Sequence, residues 1–219
     1  MKLISTLIIL VLTITGCTKD DPLERISRAN QLRVEKKYDQ SDKILYAVLK
    51  EDSKNTSAII ALAQNLEDQS KFKEALSKYK EVLEVTPDHI AATLYVGNIY
   101  RRMGDLETAI KYVTRATVLS PGEGWVKNLL AHLFEQSGDL EKAKFNYEAA
   151  VDLVGNDDQF LMDLAMFCEK TEDLECAAKN YTAFLSLYQQ QDEIVITKHE
   201  KEITFAQARL KALRGEAKN

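Results

Sequence analysis

The 219-residue sequence predicts an all-α solenoid of stacked helix-turn-helix units, and three observations carry that expectation. Small residues recur every 34 positions: Ala29, Ala63, Gly97, Ala131 and Ala165 form one column, and Ala75, Ala109, Ala143 and Ala177 another. Large apolar residues keep the same step, with Tyr38, Phe72, Leu106, Leu140 and Leu174 in one column and Leu32, Leu66, Tyr100, Phe134 and Cys168 in a second. Helix breakers keep it too, as Gly104 and Gly138 and as Pro87 and Pro121. A fixed period of this length marks a repeat array, which a plain helical bundle does not require.

Five frames follow: 22–55, 56–89, 90–123, 124–157 and 158–191. The third shows the internal pattern. Val96, Gly97 and Tyr100 make one helical stripe, Met103-Gly104-Asp105 breaks it, and Leu106, Ala109, Val113 and Ala116 make a second. Pro121 and Gly122 then end the second helix. The small columns have a steric reason. Antiparallel helices approach closely only where Gly or Ala stands, so Gly97 is expected to face Ala109, and Ala131 to face Ala143. In the first frame Arg25 and Arg28 occupy normally apolar places, and in the fifth Cys168 replaces an aromatic. End repeats lack one neighbour, so a more polar outer face is expected there. Beyond 191 the register is lost. Ile196, Ile203, Ala206, Leu210 and Leu213 still share one helical face, which predicts a capping helix over 193–214 and a frayed tail after it.

This period and pattern resemble the tetratricopeptide repeat across residues 22–191, most closely in stretches such as LAHLFEQSGDLEKAKFNYEAAV. The resemblance implies an arch whose concave face is lined by the first helix of each repeat and holds a protein or peptide partner. Helical phase opposite the packing stripe then places Leu94, Tyr95, Asn98 and Arg102 of the third repeat on that face. It adds Trp125, Asn128, Leu129 and His132 from the fourth, and Met162 and Met166 from the fifth. Ser57, Ile60, Ala61 and Gln64 are the counterparts in the second. Aromatic and methionine side chains beside amides suit a peptide, since ring area anchors and amides pair with backbone. The carboxylate-holding places of chaperone-tail binders in the same family fall here on Ile60, Leu94 and Met162, which cannot bind a carboxylate.

The first residues carry a separate message. Lys2 precedes an apolar stretch from Leu3 to Ile14, too short for a ~30 Å hydrocarbon core but suited to a secretory leader. Ile14-Thr15-Gly16-Cys17 resembles the lipobox of bacterial lipoproteins. That resemblance implies a signal peptide over 1–16, lipidation of Cys17 and a short tether over 17–21, with the covalent lipid as the only added group. Two or more acyl chains give stable anchoring where one is marginal. Thr18 stands where an aspartate would resemble an inner-membrane retention signal, so the outer membrane, facing the periplasm, is the expected location.

Composition excludes other classes. The net charge is −5, and losing Lys2 makes the remainder more negative, which argues against a nucleic-acid partner. Three cysteines are too few for a disulfide framework or a zinc site, and no HExxH, GxSxG, GxxxxGK or CxxC occurs. His132 and Cys168 point to different faces, so no catalytic pair and no metal site is expected. Cys168 and Cys176 flank the turn of the fifth repeat. They are read either as a disulfide, which an oxidising envelope permits, or as thiols with Cys168 serving as a small core residue. The whole plan resembles tetratricopeptide lipoproteins that assist type IV or tight-adherence pilus assembly around a secretin. It also resembles those that gather peptidoglycan hydrolases or envelope proteases.

Overall fold

A computed structural model describes residues 21–155 and 157–215. The leader, Cys17 and most of the tether lie outside the described residues, as do residues 216–219. The described residues form twelve helices. Ten make five antiparallel hairpins: α1 Pro22–Val34 with α2 Tyr38–Glu51, α3 Thr56–Asp68 with α4 Phe72–Val85, α5 Ile90–Arg102 with α6 Leu106–Leu119, α7 Gly124–Ser137 with α8 Leu140–Val154, and α9 Asp158–Lys170 with α10 Leu174–Ser186. Two more, α11 Glu193–Lys198 and α12 Glu200–Leu213, follow at the C-terminal end. Among the described residues no helix is long and apolar enough to cross a membrane.

Each hairpin turns in the same way. Lys36, Ser70, Gly104, Gly138 and Glu172, one per repeat, all have φ between 60° and 86°. The amide after each donates to a carbonyl five residues back, as Asp105 N to Tyr100 O at 2.9 Å and Asp173 N to Cys168 O at 2.8 Å. This closes the first helix with a left-handed residue, a place suited to glycine. In the last three repeats the next residue also starts the second helix. Asp105, Asp139 and Asp173 accept from the amides of Thr108, Lys142 and Cys176, which satisfies donors that a helix N-terminus leaves free.

The small columns mark the closest helix approaches. Ala29, Ala63, Ala131, Ala165, Ala75, Ala109, Ala143 and Ala177 are all fully buried. A Cβ added to Gly97 would stand 3.0 Å from Val113 Cγ2 and 3.4 Å from the Ala109 carbonyl oxygen, so α5 meets α6 where the spacing placed the contact. Gly124 is tighter still: its Cβ would lie 2.4 Å from Val154 Cγ2. Where Ala would continue the second column, Ser41 is buried and donates to Ala29 O at 2.8 Å. Cys168 and Cys176 form a disulfide across the α9–α10 turn, with Cα atoms 5.8 Å apart.

The helix expected over 193–214 is divided at His199, which leaves helical geometry with φ −107° and ψ 17°. The cause lies in α9 and after α10. Tyr188 hydrogen-bonds Asp158, and the His199 ring packs on Tyr188 at 5.2 Å with Nδ1 3.8 Å from the same carboxylate. The chain is held there before α12 begins. Then α12 covers the apolar end of the stack by burying Ala206 and Leu210.

Candidate functional site

The first helices of the hairpins line one side of the stack. Leu23, Ile26, Ser27 and Asn30 of α1 face Ser57, Ile60, Ala61 and Gln64 of α3 across a cleft of about 440 Å³. Gln64 then donates to Tyr95 OH at 3.1 Å, joining α3 to α5. Between α7 and α9, Asp163 gathers three partners: Asn128 at 2.7 Å, Gln159 at 2.8 Å and His132 Nε2 at 3.1 Å. Burial alone would raise this carboxyl's pKa, but the bonds from His132, Asn128 and Gln159 hold it below the usual range. The groove ends at a pocket of about 300 Å³ between α9 and α12, lined by Met162, Met166 and Phe205 with Lys201 and Glu202 at its rim.

The expected site residues fall into three groups. Trp125 and Met166 are each 48% exposed, and Arg102 is also at the surface. Trp125 sits in the first turn of α7, its indole N–H 2.8 Å from Glu123. Tyr95, Asn98, Leu129 and His132 are half-buried. Leu94 and Asn128 are buried, which corrects the expectation that they are presented to a ligand; Met162 is buried too but still lines the pocket beside α12. The next first helix encloses Leu94 and Asn128: Leu94 packs with Val126 and Leu130 of α7, and Asn128 bonds Asp163 of α9. Tyr95 also departs from the expectation of a free ring. It stacks on buried Tyr79 with centroids 4.8 Å apart.

His132 and Cys168, the two residues weighed above as a catalytic pair, are engaged separately. His132 faces Asp163 and Tyr147, while Cys168 is fully buried and disulfide-bonded. Among the described residues the one cluster with metal-ligating atoms close together is Cys168, Asp173 and Cys176. Its sulfurs bond each other, and Asp173 caps α10 and pairs with Lys144 at 2.6 Å.

The structure adds a polar ladder that columns of apolar residues did not disclose. Tyr79, Tyr147 and Tyr181 are buried, and each hydroxyl donates to a glutamate on its partner helix: Glu67 at 3.0 Å, Glu135 at 2.7 Å and Glu169 at 2.9 Å. Each glutamate also receives a cation from the next element, Arg102 for Glu67, Lys170 for Glu135 and Arg209 for Glu169. Arg102 packs as well on the Phe72 ring at 4.4 Å. Burial and the neighbouring carboxylates push the Tyr79 and Tyr147 phenols far above their usual pKa. The signal for this was present as intervals of 68 and then 34 residues, two repeats and one, in Glu67, Glu135 and Glu169 and in Tyr79, Tyr147 and Tyr181.

Residues 60–124 and residues 126–154 match models of the tetratricopeptide repeat. The fold is a tetratricopeptide-repeat solenoid. No curated protein matches the chain. Among solved structures, MamA from Desulfovibrio magneticus RS-1, residue 41 to the end, shares 16% identity at a TM-score of 0.67, over 80% of this chain and 98% of that one. PilF of Pseudomonas aeruginosa shares 18% at 0.67, over 88% and 91%. YrrB, a tetratricopeptide-repeat protein with an unusual peptide-binding site, shares 16% at 0.59, over 84% and 94%. At these identities the likeness is one of fold. A tetratricopeptide-repeat solenoid is a scaffold for protein–protein contact, and its first helices carry the groove described above.

Proposed function

We propose that this protein is a membrane-anchored tetratricopeptide adaptor of the bacterial envelope that holds an extended or helical segment of a protein partner in its concave groove. The observation that carries the reading is the exposure of large apolar side chains along that groove: Trp125, Met166 and Phe205 at 48, 48 and 42%. Isolated exposed apolar residues are ordinary, but Met166 and Phe205 line one pocket beside Lys201 and Glu202, and Trp125 shares the helical phase of that face, a combination that suits a partner. The apolar leader ending in Ile14-Thr15-Gly16-Cys17 supports lipid anchoring at Cys17. The resemblance of leader plus repeats to pilus-assembly lipoproteins makes a type IV or tight-adherence secretin the partner to test first, and the fold shared with PilF is compatible with that choice.

Crosslinking of the full-length protein in its own membranes, followed by capture, tests the reading. Trp125→Ala and Met166→Ala should each lower recovery of one discrete partner while the melting temperature stays near wild type. Equal recovery with both variants would remove the groove from the mechanism. Cys17→Ser should release the protein from membranes or leave it uncleaved, and a metabolic palmitate label persisting on that variant would end the lipoprotein reading.

A further inference from the structure

The ladder between repeats follows a rule, and one junction breaks it. At the end of each first helix stands a charged residue: Arg33, Glu67, Arg101, Glu135 and Glu169. Where it is glutamate, a tyrosine lies twelve residues on and donates to it; where it is arginine, that place holds Leu45 or Val113. Four of these five charges are answered from a later repeat or from α12. Arg33 meets Asp68 at 2.8 Å, Glu67 meets Arg102 at 2.9 Å, and Glu135 meets Lys170 at 2.8 Å, always 35 residues later. Glu169 meets Arg209 of α12. The counterpart of Arg101 under this rule is Gln136, which is neutral and exposed.

Arg101 therefore lacks the carboxylate that the rule supplies to Arg33. Its guanidinium donates to the side-chain oxygen of Asn98 at 2.9 Å, and among the described residues no carboxylate lies within ion-pair distance of it. Asn98 in turn donates to Glu67 at 3.1 Å, which is already engaged by Arg102 and Tyr79. The group so formed carries two guanidinium charges against one carboxylate. Glu67, Asn98 and Arg101 are half-buried and Arg102 is exposed, beside the groove, and planar donors of arginine suit bidentate pairing with a carboxylate.

We infer that the third junction is completed in trans: an aspartate or glutamate side chain of the partner segment pairs with Arg101, in the place that Asp68 fills for Arg33. The inference rests on the groove reading above and gives it a chemical specificity, an acidic residue set against the middle of the arch. The leverage comes from internal symmetry. Gln136→Glu should supply the missing carboxylate in cis and close the site without touching Arg101.

Detergent-solubilised full-length protein is used to select from a random extended-peptide library displayed on phage, with wild type, Arg101→Gln and Gln136→Glu run side by side. The wild-type pool should be enriched in Asp or Glu at one position, and both variants should lose that enrichment while still selecting the same apolar residues. For a synthetic peptide from the wild-type pool, replacing its acid by the amide should weaken binding about fivefold, as an exposed ion pair does, and should have no effect on Gln136→Glu protein. Gln136→Glu should also melt no lower than wild type, which separates site closure from unfolding. Pools with the same acid preference in all three proteins, or a wild-type pool without any, would overturn the inference and leave the groove reading standing. Failure of all three to select any peptide would overturn both.

Discussion

Tyr147→Phe is the most direct probe of the polar ladder. The hydroxyl lies 2.7 Å from Glu135 Oε2 and 2.6 Å from His132 Nδ1, while the ring is buried and tilted against Phe167 at 5.1 Å. Phenylalanine keeps the ring packing, so the change isolates the hydroxyl. Hydrogen bonds to charged groups contribute about 1.5–3 kcal/mol. Glu135 retains Lys170 and His132 retains Asp163, so neither is stranded. The low end, about 1.5 kcal/mol, is therefore expected, or roughly 3–6 °C in melting temperature for a chain of this size. Tyr181→Phe removes a bond to Glu169 alone, which Arg209 also holds, and should cost about 1 kcal/mol.

The pH dependence of that difference has a fixed sign. Burial acts to raise the pKa of Glu135, but hydrogen bonds from Lys170 and Tyr147 outweigh it and the folded pKa is lowered. Its stabilising contribution is present above the unfolded carboxylate value of about 4.3 and is lost as pH falls through the folded value. Tyr147 is shifted upward by burial and by Glu135, so its contribution is complete below the unfolded phenol value of about 10 and is lost as pH rises beyond it. The wild-type advantage over Tyr147→Phe should be level from about pH 6 to 9 and shrink on both sides. Denaturant unfolding across that range measures it. A Tyr147→Phe protein as stable as wild type at pH 7 would refute the ladder as a source of stability.

Three further outcomes are expected. Glu172→Gly relieves a left-handed residue with φ 62° and should raise the urea midpoint by about 0.5–1 kcal/mol equivalent, with no gain meaning that the turn is not strained. Ala131→Leu overpacks the meeting of two fully buried columns and should cost about 1–3 kcal/mol by melting, and an unchanged melting temperature would contradict the close approach. Tyr95→Ala should destabilise by about 2 kcal/mol because it loses the stack on Tyr79, whereas Trp125→Ala should stay within about 0.5 kcal/mol; the reverse order would exchange their assignments to core and groove.

The solenoid was legible because its signals are periodic and steric. Gly97 and Ala109 had to meet at any close crossing, and the turns had to recur at Gly104 and Gly138. What helical phase could not give was depth. Phase separates the two faces of one isolated helix, but Leu94, Asn128 and Met162 are enclosed by other helices of the stack, which phase does not see. The break at His199 was invisible for a similar reason. Its cause is Asp158 and Tyr188, which belong to other elements. Ser70 and Glu172 show a third limit: a left-handed residue is demanded by position in the repeat, so residue type alone does not announce it.

Polar columns hold a different kind of information from apolar ones. The apolar columns are nearly uniform because every hairpin must close in the same way. The ladder columns vary, and they vary in pairs: glutamate with tyrosine at 67 and 79, 135 and 147, and 169 and 181, but arginine with leucine or valine at 33 and 45 and at 101 and 113. A buried tyrosine hydroxyl needs an acceptor, and glutamate supplies one; an aliphatic residue at the same place needs none, which frees the partner position to reverse its charge. The third repeat uses that freedom and moves its aromatic pair elsewhere, stacking Tyr100 on Tyr112 at 5.8 Å with Lys80 bonded to the Tyr100 hydroxyl at 2.9 Å. Stability at that junction then rests on rings and apolar packing. Arg101, in the last turn of α5, keeps its bond to Asn98 but has no carboxylate within ion-pair distance among the described residues, so its charge is left to discriminate among partners.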